Sequence, residues 1–135
     1  MDSNKIVEIP NKDIMNKKIV IFDDDKDILT AMESVLDFVD WDLVTFSSGV
    51  DAIQVITKEK PDLILMDILL DGVDGREICR SVKGSSELKH IPIILISGQR
   101  GAEEAQHQDF GPNDFLPKPF NIGDLIDKVY FQLAS

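Results

Sequence analysis

Three features of the amino-acid sequence point to a parallel β-sheet covered by helices on both faces. Its short apolar runs are rich in β-branched residues and continuous rather than alternating, as in strands buried on both sides. Longer segments separate them, with apolar residues three and four apart, the spacing of crossover helices. A length of 135 residues suits one domain with one core.

The elements follow in order. Residues 1–16 are polar, contain Pro10 and lack sustained periodicity, so they read as an extension outside the core, with Ile6, Val7 and Ile9 able to pair weakly with an edge strand. The first strand is Lys18 to Phe22. Ile28, Met32, Val35, Leu36 and Val39 then mark one buried helical face, with Asp27 at its start to cap it or to favour its N-terminus. Leu43 to Phe46 is the second strand. Gly49 precedes a shorter helix with Ala52, Ile53 and Ile56, ended by Pro61. Leu63 to Met66 is the third strand, and Gly75 opens a helix with Ile78, Cys79 and Val82 inward and Gly84 at its end. Ile93 to Ile96 is the fourth strand. The segment from Gly101 to Asp109 is largely polar, with Ala102 and Ala105 as its small apolar contacts, so a helix there is short or mobile. Phe115-Leu116 is a weak fifth strand. The last helix carries Ile122, Leu125, Ile126, Val129, Tyr130 and Leu133, with Asn121 as N-cap. Trp41 is placed to cover the end of the first helix.

Charge narrows the function. Fourteen Lys and Arg against 25 Asp and Glu leave a net charge of −11, which argues against nucleic acid or an anionic membrane as partner. The single cysteine, Cys79, permits no internal disulfide, and no apolar run is long enough to span a bilayer. Cytoplasmic localisation is the expectation. In a parallel sheet, ligands bind at the carboxyl ends of the strands where the strand order reverses. The first strand runs into Asp23, Asp24 and Asp25, the third ends in Asp67, the fourth in Ser97, and Lys118 follows the fifth. A sheet starting from its middle brings Asp23, Asp24 and Asp67 into one acidic pocket flanked by a hydroxyl and an ammonium. Two like charges about 4 Å apart repel by roughly 4 kcal/mol at an effective dielectric near 20, so such a pocket calls for a cation. Carboxylate oxygens without imidazole or thiolate favour Mg2+ or a similar ion, Mn2+ included, and phosphate chemistry follows from that choice. An Asp run alone is commonly a capping turn; Asp67, Ser97 and Lys118 are what make this one a site. Asp25 and Asp27 read as capping or field residues, Cys79 as packing, and His90 and His107 as surface positions.

The stretches IVIFDDDKDIL, PDLILMDILLDGVDGREIC, IPIILISG and DFLPKPF, in that order, resemble the receiver domain of bacterial two-component response regulators, the CheY-like family. The resemblance runs from Lys17 to the C-terminus and implies domain bounds of 17–135 with 1–16 as an extension. It also implies a flavodoxin-like (βα)5 three-layer sandwich with strand order 2-1-3-4-5. By this resemblance Asp67 is the phosphoacceptor for a histidine kinase or histidine phosphotransfer protein. Asp23, Asp24, Asp67 and the backbone carbonyl of Leu69 hold Mg2+, and Lys118 pairs with Asp67 and then with a phosphoryl oxygen. Ser97 is the switch hydroxyl and Phe115 the switch aromatic, although Phe115 also reads as an ordinary core residue. The peptide between Lys118 and Pro119 is often cis in this family. Leu70-Asp71-Gly72 departs from the family pattern, which commonly has proline before the glycine. Leu69 and Gln99 are expected to border the pocket, with opposing influences on the phosphoryl lifetime: an apolar Leu69 hindering an attacking water and Gln99 orienting one.

No output domain follows Ser135, so the expectation is a stand-alone receiver without separate substrate turnover, acting on a downstream protein as a monomer or a weak phosphorylation-dependent dimer. A Mg2+-dependent phosphatase of the haloacid-dehalogenase type is the alternative from the D-x-D spacing of Asp23 and Asp25, but its downstream acidic pair is not evident. A receiver-shaped module without phosphorylation is disfavoured by the complete pocket. A flavin or dinucleotide site lacks its glycine-rich cradle.

Overall fold

The computed structural model describes residues 14–98 and 109–135. Five strands form one parallel sheet: β1 (Lys18–Phe22), β2 (Asp42–Phe46), β3 (Leu63–Asp67), β6 (Ile93–Ser97) and β7 (Asp114–Pro117), in the order β2-β1-β3-β6-β7. Counted within the main sheet this is the expected 2-1-3-4-5 order. A two-stranded antiparallel ribbon, β4 (Leu69–Leu70) and β5 (Val73–Asp74), follows β3. The helices are α1 (Lys26–Glu33), α2 (Ala52–Glu59), α3 (Gly75–Lys83) and α4 (Ile122–Ala134).

Side chains alternate across a strand, and the core divides accordingly. Val20, Phe22, Ile64 and Met66 face a layer containing Ile56 of α2 and Ile78, Cys79 and Val82 of α3. Ile19, Ile21, Leu63 and Leu65 face Ile28 and Met32 of α1 and Leu125, Val129 and Leu133 of α4. The result is three layers, with β1, β3 and β6 covered on both sides.

Helix starts follow their caps. Asp25, rather than Asp27, accepts the cap bond at α1, from the Asp27 amide at 2.9 Å. Asp74 caps α3 through the Arg76 amide, and Asn121 caps α4 through the Asp124 amide. Several expectations need correction. Helix α1 ends at Glu33, before Val35 and Leu36, where Ser34 Oγ turns back to donate to the carbonyl of Ala31. Leu36 is consequently exposed, while Val39 regains the core beyond the helix. Ile53 and Ile122 stand on solvent-facing sides. Trp41 is buried between elements: its indole N–H donates to the carbonyl of Ile14 at 2.7 Å, and its ring lies 5.3 Å from that of Tyr130. Ile14 itself is 2% exposed, so the packed chain reaches into the stretch assigned to the extension. The edge pairing expected of Ile6, Val7 and Ile9, the helical segment around Ala102 and Ala105, and the positions of Gln99 and His107 lie outside the described residues.

Candidate functional site

Parallel pairing fixes where the strands end, and the ends build the site. The register Phe22 with Met66 places Asp23 beside Asp67, and Asp67 with Ile96 places Ser97 one step beyond it. The Lys118 amide donates to the carbonyl of Ser97 at 2.9 Å, extending the β6–β7 ladder until the lysine reaches the same edge. The peptide between Lys118 and Pro119 is cis.

Asp23, Asp24 and Asp67 each present a carboxylate oxygen within 4.8 Å of the others. The Asp23 side chain is fully buried, that of Asp67 is 12% exposed, and Asp24 is exposed. Asp23 Oδ1 accepts from the Asp25 amide at 2.8 Å, whereas Oδ2 is buried without a hydrogen-bond partner. Among the described residues the cation paired with these carboxylates is Lys118 Nζ, 3.4 Å from Asp23 Oδ2, 3.4 Å from Asp25 Oδ2 and 3.5 Å from Asp67 Oδ2. Burial pushes the Asp23 carboxyl above its usual range, against the pull of the Asp25 amide and Lys118. At Lys118 burial works against the charge, but Asp23, Asp67 and Asp25 outweigh it and raise the ammonium above its ordinary value. One ammonium is thus shared by three carboxylates, and Asp24 adds a fourth negative charge to the group. A buried carboxylate oxygen with no hydrogen bond and only a shared ammonium 3.4 Å away, in a set of hard oxygens with no imidazole or thiolate, fits a divalent cation.

The loop after Asp67 is built to hold that residue. The Leu69 amide donates to Asp67 Oδ1 at 3.2 Å. The ribbon β4–β5 then turns through Asp71 and Gly72, with φ of 48° and 84°, the two positive values of a tight hairpin turn. This turn explains how the loop keeps its shape without the family's proline. Asp-Gly between apolar pairs was the available signal for it. Gly75 brings α3 against the site: a Cβ there would lie 2.3 Å from the Asp67 carbonyl oxygen. Its amide donates to the carbonyl of Ile68 at 2.7 Å.

The structure therefore brings together Asp23, Asp24, Asp67 and Lys118. Ser97 is buried at the end of β6. Phe115 is half-buried against the α2–α3 side of the core, and the Leu69 side chain is largely exposed beside the site. Asp25, expected as a capping or field residue, does cap α1 with one oxygen, and with the other it meets Lys118, a contact the sequence pattern does not signal. A cleft of about 520 Å³ opens at the opposite end of the sheet. Its lining mixes Lys17 and Lys60 with Asp62, Glu87 and His90.

Residues 19–130 match the family model of the response regulator receiver domain. The chain belongs to that family. Solved structures agree with the match. The receiver domain of a sensor histidine kinase from Pseudomonas aeruginosa, with a magnesium ion coordinated in its active-site cleft, is 25% identical with a TM-score of 0.73, covering 89% of this chain and 99% of that one. A two-component response regulator from Clostridium difficile is 27% identical with a TM-score of 0.72, covering 88% and 97%. The phosphorylated cyanobacterial phytochrome response regulator RcpA is 28% identical with a TM-score of 0.69, covering 86% and 90%. This receiver is accordingly a domain of two-component signalling with a cluster of carboxylates able to hold a metal. Among the described residues, no helix is long and apolar enough to cross a membrane.

Proposed function

We propose that this receiver accepts a phosphoryl group on Asp67 from a phosphohistidine of a histidine kinase or phosphotransfer protein, and that the phosphorylated form changes its contacts with a downstream protein. One observation carries the reading: Asp67 lies at a strand end within 4.8 Å of Asp23 and Asp24 carboxylate oxygens and 3.5 Å from Lys118 Nζ. Asp67 is a better acceptor than Asp23 because its side chain has access to solvent while that of Asp23 has none.

In the transfer, an Asp67 oxygen forms a bond to phosphorus as the P–N bond to the donor imidazole breaks, the electron pair leaving with the nitrogen. Asp23, Asp24, Asp67 and the backbone carbonyl of Leu69 would hold Mg2+, or Mn2+ in its place, which supplies positive charge to the phosphoryl oxygens. Lys118 moves its pairing from the Asp67 carboxylate to a phosphoryl oxygen. Ser97 donates its hydroxyl to another, and Phe115 follows Ser97 toward the core. Residues 17–135 form the working unit in a reducing cytoplasm, with 1–16 as an extension anchored through Ile14, and no separate substrate is turned over.

Intact-mass measurement after incubation with acetyl phosphate tests the reading. A single phosphoryl adduct that requires both Mg2+ and Asp67 supports it. Undiminished labelling of Asp67→Asn contradicts it.

A further inference from the structure

The Lys118 ammonium is shared almost equally among three carboxylates, and one of them, Asp25, lies outside the group of residues whose oxygens could hold a metal. Asp25 is held in place independently of the lysine: its Oδ1 accepts from the Asp27 amide at 2.9 Å and caps α1, which leaves Oδ2 directed to Lys118 at 3.4 Å. Its side chain is 31% exposed, more than that of either Asp23 or Asp67, so it is the most accessible of the three. Any phosphodonor is anionic, and the lysine is the one protein cation recorded against these carboxylates among the described residues.

From this geometry, and resting on the phosphoacceptor reading above, we propose that Asp25 is a positioning residue that restrains Lys118 and brakes phosphorylation of Asp67. Two effects act in the same direction. Pairing with Asp25 must be given up before Lys118 can follow a phosphoryl oxygen, and the Asp25 charge repels the donor as it enters. Neither effect depends on the helix cap, because a neutral side chain with an oxygen caps equally well.

The test measures phosphorylation rates with acetyl phosphate at saturating Mg2+ for the parent, Asp25→Asn and Asp25→Ser. Both variants keep a capping oxygen and lose the charge. Each should label roughly threefold faster than the parent, the factor for one unit charge about 7 Å from the donor's charge in a water-like dielectric. Unfolding temperatures should remain near that of the parent. Raising the salt concentration should shrink the difference, because screening acts on the charge and not on the cap. A purely structural Asp25 would alter stability without producing this salt-sensitive gain in rate. Variant rates equal to or below that of a labelled parent overturn the proposal alone. A parent that never labels overturns the phosphoacceptor reading and this inference with it.

Discussion

Gly75 is where the fold presses hardest on the site. A methyl group there would lie 2.3 Å from the Asp67 carbonyl oxygen and 3.0 Å from Met66 Cγ. The methionine can yield; the carbonyl belongs to the backbone of β3. In Gly75→Ala the start of α3 must therefore withdraw until the carbonyl contact exceeds 3.0 Å, straining the bond from the Gly75 amide to Ile68. Overpacking of this kind costs about 1–3 kcal/mol, and better helix propensity returns at most about 1 kcal/mol. The expected net loss is about 1–2 kcal/mol, a fall in Tm of roughly 2–8 °C for a domain of this size. Urea unfolding and thermal melts measure it, and the phosphorylation rate should fall with it because the displaced backbone carries Asp67. Gly98→Ala is the control: its methyl would meet Lys118 at 3.7 Å, ordinary contact, and its stability should stay within about 0.5 kcal/mol of the parent. A Gly75→Ala protein as stable and as readily labelled as the parent would show that the start of α3 does not press on the Asp67 backbone.

Asp23→Asn should melt above the parent when Mg2+ is absent, because it removes a buried charge whose ionisation burial opposes. Mg2+ at about a hundred times its Kd should stabilise the parent by about 2.7 kcal/mol and the variant far less, as differential scanning calorimetry would record. Trp41→Phe should lose about 1–3 kcal/mol in chemical denaturation, since the buried Ile14 carbonyl forfeits its indole donor. Burial pushes the Cys79 thiol up to about 11, so at pH 8 a thiol reagent should label the native protein only as slowly as the structure opens. Immediate stoichiometric labelling would contradict its place in the core.

Much of this was readable because each strand is a compact β-branched run and the carboxylates follow the runs directly. The order of the main sheet and the meeting of Asp23, Asp24, Asp67 and Lys118 both descend from that pattern. Asn121 and Gly84 were equally legible as helix punctuation. What escaped depends on contacts distant in sequence or on competition between local signals. The early end of α1 turns on one hydroxyl of Ser34 bonding back to the helix. Ile14 enters the core as an isolated residue, through a partner 27 positions away, and no periodicity announces it. Ile53 and Ile122 are apolar residues at helix starts that remain in solvent, which composition alone does not distinguish from core. The second partner of Asp25 depends on where Lys118 Nζ comes to rest, a matter of tertiary packing.

Where the phosphoryl group sits on the chain decides whether Asp67 is the acceptor. After incubation with acetyl phosphate and Mg2+, borohydride reduction converts an acyl phosphate of aspartate to homoserine, and peptide mapping finds the residue. Homoserine should form at Asp67 and nowhere else; homoserine at Asp23, or a phosphoryl group that resists reduction on another side chain, rules Asp67 out as the sole acceptor.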